Sequence, residues 1–302
     1  MFPSFLPADT ARLTEATSIN MARQIQRQEI QTGFCADAIA TTYLNQGTGD
    51  VPILLLHGFD SSLLEFRRLF PLLAEQQETW ALDLLGFGFT DRPTDISFSP
   101  AELKLHLYEF WKNLIDRPVI LVGASMGGAL ALDFTLTYPD CVHRLVLLDS
   151  AGFATSPVPT KLMRPPIDGW ATAFLRNSGV RRRISQQAYC NSNYVTADAE
   201  LCASLHLQHP RWQAALIAFA KSGGYNFLAD KIAHISQPTL ILWGEQDRIM
   251  NRKDASKFHQ AIADSQLIWI PNCGHVPHLE QPQLTSEHLL AFAHNDLGRG
   301  TP

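Results

Sequence analysis

Short apolar runs recur along the chain with helical patterning between them, and this rhythm restricts the fold more than any other feature. The runs at 53–56, 119–122, 145–148 and 239–243 carry almost no polar residue, as expected of parallel strands covered on both faces. Weaker runs at 79–82 and 267–270 fit the same sheet. Helical patterns fall near 62–75, 100–114, 126–138, 251–263 and 282–294. The second begins with Ser99, Pro100 and Glu102, which predicts an N-cap, a first-turn proline and a capping box. Strand–helix alternation of this kind implies right-handed crossovers and a doubly wound α/β sheet. Upstream, residues 25–32 and 39–45 read as antiparallel edge strands, although a helical pattern at 10–22 blurs their start.

The rhythm stops after residue 148 and resumes at 239. The intervening stretch opens with Pro157, Pro159, Pro165 and Pro166, then turns helical and aromatic with no convincing strand. An independent helical domain is one reading. An insertion is the better one, because the later strands need the earlier ones to close a core. The expected division is a core of 1–150 plus 238–302 and a helical cap, or lid, over 151–237.

Composition removes several function classes. With 46% apolar and 18% charged residues, wholesale disorder is excluded. A net charge of −5 argues against a surface built for nucleic acid. No stretch reaches the roughly 18 apolar residues of a membrane span, and the first residues lack the basic start and apolar core of a secretory signal. Five cysteines, widely spread and without a Cys-x-x-Cys pair, suggest reduced thiols rather than disulfides or a zinc site. The expectation is a soluble, cytoplasmic protein, with surface contact to a membrane left open.

The chemistry concentrates at Gly123-Ala-Ser125-Met-Gly127, which joins an apolar strand to a helix. A sharp strand-to-helix turn holds its serine in strained geometry and needs small neighbours, so Ser125 reads as a nucleophile on an elbow. A tight turn with a helix-capping serine is the plainer alternative. The hydroxyl needs a base and the base an orienting acid, in chain order Ser, Asp/Glu, His. Asp247 follows the strand at 239–243 and His275 the strand at 267–270, so both belong on the rim that carries Ser125. Asp149, Glu245 and His278 are the rivals. The oxyanion would be met by the backbone N–H groups of Met126 and of Phe59, the latter in the loop His57-Gly58-Phe59. Gly86-Phe-Gly88 lacks the third glycine of a dinucleotide fingerprint, and no histidine pair has metal-ligand spacing. Arg181-Arg-Arg183 reads as a solvated helix face, with contact to anionic lipid as the alternative.

These residues resemble those of the α/β-hydrolase family from about Ile39 to the last helix. The resemblance implies an eight-stranded, mostly parallel sheet with a helical cap after the sixth strand. A serine at the nucleophile position looks like the esterase or lipase type, since haloalkane dehalogenases and epoxide hydrolases carry Asp there. A closer resemblance is to the chlorophyll dephytylases. It rests on His57-Gly-Phe-Asp-Ser-Ser62, Leu64-Glu-Phe-Arg67, Glu78-Thr-Trp-Ala81 and the Leu-Gly-Phe-Gly-Phe stretch 85–89. In the cap it rests on His206, Pro210-Arg-Trp212 and Ser222-Gly-Gly-Tyr-Asn226. It implies hydrolysis of the phytyl ester of chlorophyll by Ser125, Asp247 and His275, without metal or diffusible cofactor. It also implies peripheral contact with a photosynthetic (thylakoid) membrane or a pigment–protein complex.

The cap's aromatic residues suit an apolar site, and Phe59, Trp212, Tyr225 and Phe227 are the candidates for touching substrate. An isoprenoid alcohol would gain about 0.8 kcal/mol per buried CH₂ there. The plainer reading is that most of these rings form the cap's own core. Two other functions fit the same residues: a generic carboxylesterase, lipase or carbon–carbon bond hydrolase, and a non-catalytic pigment carrier or receptor.

Overall fold

The computed structural model describes residues 1–153 and 167–294; the prolines at 157–166 and the last eight residues of the chain lie outside them. The strands are β1 (Gln26–Ile30), β2 (Ile39–Gln46), β3 (Ile53–Leu56), β4 (Thr79–Leu82), β5 (Val119–Ala124), β6 (Val142–Leu148), β7 (Thr239–Gly244) and β8 (Ser265–Ile270). They form one sheet in the order β1-β2-β4-β3-β5-β6-β7-β8. Only the β1–β2 and β2–β4 pairings are antiparallel, and all others are parallel. The eight-stranded, mostly parallel sheet expected from the sequence is therefore present. Both upstream segments are antiparallel strands, but only β1 is at the edge; β2, also expected there, pairs with β4 on its other side and is internal.

Helices α1 (Ala16–Gln24), α2 (Phe70–Ala74), α3 (Pro100–Leu114) and α4 (Met126–Thr137) lie before β6 in the chain. Between β6 and β7 come α5 (Ile167–Arg176), α6 (Ser178–Ala188), α7 (Ala197–Cys202) and α8 (Trp212–Ser222), with no strand among the described residues. Then α9 (Arg252–Ala261), α10 (Pro277–Glu280) and α11 (Pro282–His294) complete the core. Successive residues of each central strand feed opposite cores: Leu54, Leu121, Leu147 and Ile241 join one cluster, Leu55, Val122, Val146 and Leu242 the other. This two-sided burial is why the strands read as unbroken apolar runs.

The start of α3 follows the sequence expectation. The Ser99 Oγ accepts from the Glu102 amide (3.4 Å) and the Glu102 carboxylate accepts from the Ser99 amide (2.8 Å), a reciprocal capping box. The helix expected near 62–75 differs. It is divided into a 3₁₀ turn, Leu63–Phe66, and the short α2. Within the turn, Glu65 reaches back to the Gly58 amide (3.3 Å), and Pro71 falls in the first turn of α2, where a missing N–H costs nothing. Both effects favour two short pieces over one continuous helix.

Burial also sets an acid limit. His106 on α3 is fully buried with its Nε2 2.8 Å from Thr41 Oγ1 on β2, and burial pushes its pKa from 6.5 down to about 4. His57 is lowered to about 4 for the same reason. The unfolded chain therefore binds protons first, so stability is full above about 6.5 and declines as pH falls toward about 4. The urea midpoint, measured in steps across that window, should fall with acidity. His106→Gln should remove about one proton's share of the slope and leave that of His57. An unchanged slope in the variant would assign the acid sensitivity elsewhere.

Candidate active site

β5 runs into α4 through a sharp, closely packed turn. Ser125 holds φ 52° and ψ −117° there, a left-handed conformation that costs a non-glycine residue energy. Its amide donates to Leu148 O (2.9 Å) and its carbonyl accepts from Ala151 N (2.9 Å), so the turn is bonded to the end of β6. No room exists for larger neighbours. A Cβ on Gly123 would lie 2.4 Å from Gly127 O, and one on Gly127 would lie 2.2 Å from Leu56 O. The glycines of the motif are thus demanded by contact with backbone.

His275 and Asp247 arrive from the loops after β8 and β7. The imidazole Nδ1 of His275 lies 3.0 Å from Asp247 Oδ2. The other Asp247 oxygen accepts from the amides of Ile249 (2.7 Å) and Met250 (3.0 Å). Burial alone would raise the Asp247 pKa, but the hydrogen bond and charge of His275 and these two amides hold it below the usual carboxylate value. An ionised carboxylate only accepts, so Nδ1–H of His275 donates and Nε2 is left to face the cavity. Ser125 and His275 line the same cavity, of about 290 Å³.

The rivals are placed as well. Asp149 belongs to the same cluster: its carboxylate, that of Asp247 and the His275 ring present atoms within 4.8 Å of one another. It is fully buried, and burial together with the neighbouring Asp247 raises its pKa well above the ordinary value. One oxygen accepts from the Gly244 amide (2.9 Å). Asp149 is therefore pushed toward the neutral form beside Asp247, whose anion is favoured. His278 is buried with its Nε2 3.1 Å from Glu65, away from Asp247. Glu245 makes a backbone bond to Ile270 O (3.0 Å) and its carboxylate is not part of the cluster.

The loop after β3 faces Ser125 from the other side. A Cβ on Gly58 would touch Ser125 Cβ at 3.4 Å, and the Gly58 amide is already taken by Glu65, which leaves the next amide, that of Phe59, for a ligand. Met126 opens α4, where helical N–H groups have no internal partner. Within the loop His57 is fully buried. Its Nε2 accepts from the Leu84 amide (3.1 Å), which requires the proton on Nδ1, and that proton goes to Gly58 O (2.8 Å). His57 braces the loop rather than facing the cavity.

Sequence reasoning passed over the residue that ties this loop to the cap. Asp60 follows Phe59 with φ 51° and a carboxylate that is buried. It accepts from Trp212 Nε1 (2.7 Å), His206 Nε2 (3.0 Å) and Arg181 Nη1 (2.7 Å). Burial opposes its charge, yet His206, Arg181 and Trp212 lower its pKa to about 2. Arg181 is consequently no part of a solvated face, because the buried carboxylate needs a cation; Arg182 and Arg183 remain exposed. A second carboxylate, Glu280, accepts from the amides of Cys190 (2.9 Å), Asn191 (2.8 Å) and Gly274 (2.6 Å). It thereby joins the end of α6 to the loop of His275, whose own amide donates to Ala188 O (2.7 Å).

Of the four aromatic candidates for substrate contact, Phe59 lines the cavity and is 44% exposed. Trp212 is spent on Asp60, and neither Tyr225 nor Phe227 is among the cavity's lining residues. They continue a row of ring contacts from Phe59 through Phe219 to Tyr225 and Phe227, with centroids 5.9, 6.2 and 6.1 Å apart. A larger hollow of about 880 Å³ opens near Arg27, Arg92 and His209. It holds none of Ser125, Asp247 or His275, and its size alone gives it no claim on the chemistry.

The geometry yields two expected outcomes. Asp247→Asn should lower turnover of any substrate by about three orders of magnitude. Asp149→Asn should change it little, because an amide replaces an acid pushed toward its neutral form that already accepts from Gly244; steady-state rates of both variants decide, and the reverse ranking would move the acid to Asp149. Asp60→Asn leaves Arg181 and His206 without their carboxylate, and should cost about 3 kcal/mol or more in urea unfolding.

Comparison with known proteins agrees with this architecture. A family profile describing the alpha/beta hydrolase fold matches residues 51–282. The Alpha/beta hydrolase domain-containing protein VTE7 of Arabidopsis thaliana is 34% identical, over 98% of this chain and 92% of its own. A 2-hydroxy-6-oxo-6-(2'-aminophenyl)hexa-2,4-dienoic acid hydrolase of Metapseudomonas resinovorans is 30% identical, over 91% of this chain and 96% of its own. Among solved structures, a thermophilic esterase from Thermogutta terrifontis superposes with a TM-score of 0.76 at 24% identity, covering 89% of this chain and 98% of that one.

Proposed function

The chain belongs to the α/β-hydrolase family, and we propose that it is a serine hydrolase cleaving carboxylic esters of lipophilic alcohols, with chlorophyll as substrate and chlorophyllide and phytol as products. The observation that carries the hydrolase reading is the His275 ring, fixed by Asp247 at 3.0 Å and sharing one cavity with Ser125. In this reading Ser125 Oγ attacks the ester carbonyl as His275 Nε2 takes its proton. The oxyanion is met by the Phe59 and Met126 amides. His275 then protonates the departing alcohol, and a water it deprotonates releases the acid. Asp247 stabilises the imidazolium throughout.

A lipophilic substrate is supported by the cavity wall, where Leu175, Ile184, Ile249, Val276 and Leu279 surround the reacting groups. Ile184, Ile249 and Phe59 are also partly open to solvent. At about 290 Å³ the cavity is at the lower end for a small-molecule site. It would take the ester and the first part of a chain, with the rest lying across the mouth. The chlorophyll reading is supported by the stretches that resemble chlorophyll dephytylases, since Asp60 from the first touches His206 and Trp212 from the cap. No helix among the described residues is long and apolar enough to cross a membrane, so a membrane pigment would be reached by surface contact.

A second reading, hydrolysis of a carbon–carbon bond, is favoured by the relative from Metapseudomonas resinovorans and uses the same three residues. Purified protein incubated with chlorophyll a and with short-chain nitrophenyl esters, beside Ser125→Ala, separates the readings. Chlorophyllide formed by the wild type and not by the variant is expected. Turnover of short esters alone overturns the pigment assignment, and pigment binding without turnover makes the protein a carrier.

A further inference from the structure

Apart from Met1, the large apolar side chains left exposed among the described residues are Phe59, Trp170, Phe174, Ile184, Phe227 and Ile249. They gather in one place. Phe59, Ile184 and Ile249 line the cavity that holds Ser125, as does Leu175, the residue after Phe174. Phe227 joins them through the row of rings that starts at Phe59. These residues form the rim of the cavity mouth and its continuation onto α5.

Helix α5 is turned inside out relative to an ordinary surface helix. Its buried positions are polar: Asp168 is 6% exposed and Thr172 2%, whereas Trp170 is 69% exposed and Phe174 63%. Polar bonds fix this orientation. Asp168 Oδ2 accepts from Lys221 Nζ (2.9 Å) and Thr172 Oγ1 from Gln213 Nε2 (2.8 Å), both donors on α8. Trp170 and Phe174, one turn apart, share the outward face. An aromatic pair held toward water by its helix's own bonds marks an interaction surface.

Past Asp168 the charge on α5 and α6 has one sign. No Asp or Glu occurs between residues 169 and 197, although the whole chain carries −5. Arg176 at the end of α5 and Arg182 and Arg183 on α6 are exposed, and Arg248 is exposed beside Ile249. Arg182 Nε lies 3.2 Å from Glu200, a pair partly open to water and therefore weak. Aromatic rings flanked by arginines fit the headgroup level of a bilayer, where rings bury against acyl chains and guanidiniums meet lipid phosphates. A second copy would instead set one basic face against another.

We propose that the α5–α6 face docks on a bilayer surface bearing anionic lipid. Trp170 and Phe174 lie at headgroup depth, Arg176, Arg182 and Arg183 meet lipid phosphates, and the cavity mouth turns to the bilayer. An ester held in the membrane then reaches Ser125 without crossing water. That delivery rests on the lipophilic-ester reading; docking itself rests on the exposed rings and charges.

The test mixes the full chain with vesicles of phosphatidylcholine, with and without phosphatidylglycerol, and reads bound protein by sedimentation. Binding should be about tenfold tighter or more to the anionic vesicles, and should weaken with added salt. Trp170→Ser with Phe174→Ser, and Arg182→Gln with Arg183→Gln, should each lower affinity by about tenfold. All four positions are exposed, and an unchanged cooperative unfolding transition checks the fold of each variant. Brominated acyl chains should quench the wild type's tryptophan fluorescence, and Trp170→Phe should lose that quenching while still binding. Absence of binding to anionic vesicles overturns the proposal. So does binding that survives both pairs of changes, or that is lost only in Phe2→Ser with Phe5→Ser. A concentration-dependent dimer abolished by Trp170→Ser, with no vesicle binding, makes the face a contact between copies and also overturns it. These readouts need no turnover. Failure of every ester with the wild type defeats the hydrolase reading alone, and vesicle binding still decides the docking face.

Discussion

The left-handed backbone at Ser125 is the constraint around which the core is arranged. A serine at φ 52° stores strain that the surroundings must offset, on the order of 1–3 kcal/mol. They do so by bonding both of its peptide groups to the end of β6 and by bringing α4 so close to β3 and β5 that only hydrogen fits at positions 123 and 127. β5 is therefore central in the sheet, and the loops after β3, β7 and β8 converge on the one serine that the turn holds outward. The site lies where the topology leaves no alternative.

Two carboxylates beside one imidazole raise the question of which carries the charge. Environment separates them. Asp247 has two amides and His275 to stabilise its anion, whereas Asp149 has one amide and a charged neighbour. His275 first, and then the peptide groups of Ile249 and Met250, favour the anion on Asp247, which is why Asp247 is the acid in the proposed mechanism.

Legibility in the sequence followed the range of each interaction. Strands, the α3 cap and the elbow depend on neighbours in the chain, so their patterns were readable: unbroken apolar runs, Ser99 with Glu102, and small residues around Ser125. Asp247 and His275 were named as candidates from chain order and strand ends, and the structure brings their side chains to 3.0 Å. Asp60, Glu65 and Glu280 were not named, because their charged or amide partners include residues distant in sequence and each looks like a surface charge. Arg181 was misjudged for the same reason, since a run of three arginines hides the one that is buried. Trp212 and Tyr225 show the converse: aromatic content in the cap identified apolar material but not which rings face outward from its packing. A signal for Asp60 did exist, in that the loop stretch at 57–62 and the cap stretch around 206–212 both carried the family resemblance. Its physical content is one carboxylate and its donors.

The two carboxylates that fasten the cap also bear on how such proteins diversify. Asp60 belongs to the loop after β3 and Glu280 ends α10, but apart from Gly274 the donors that satisfy them come from α6, the turn after it, the segment leading into α8 and Trp212 at its start. A cap exchanged for that of a distant relative would strand two anions in a dry interface, unless the new cap brought equivalent donors or the loops changed with it. Recombination at the tidy boundary between strands six and seven would therefore cut through a shared electrostatic unit. On the proposed division of the chain, the unit inherited together is the cap with the loops that flank Ser125.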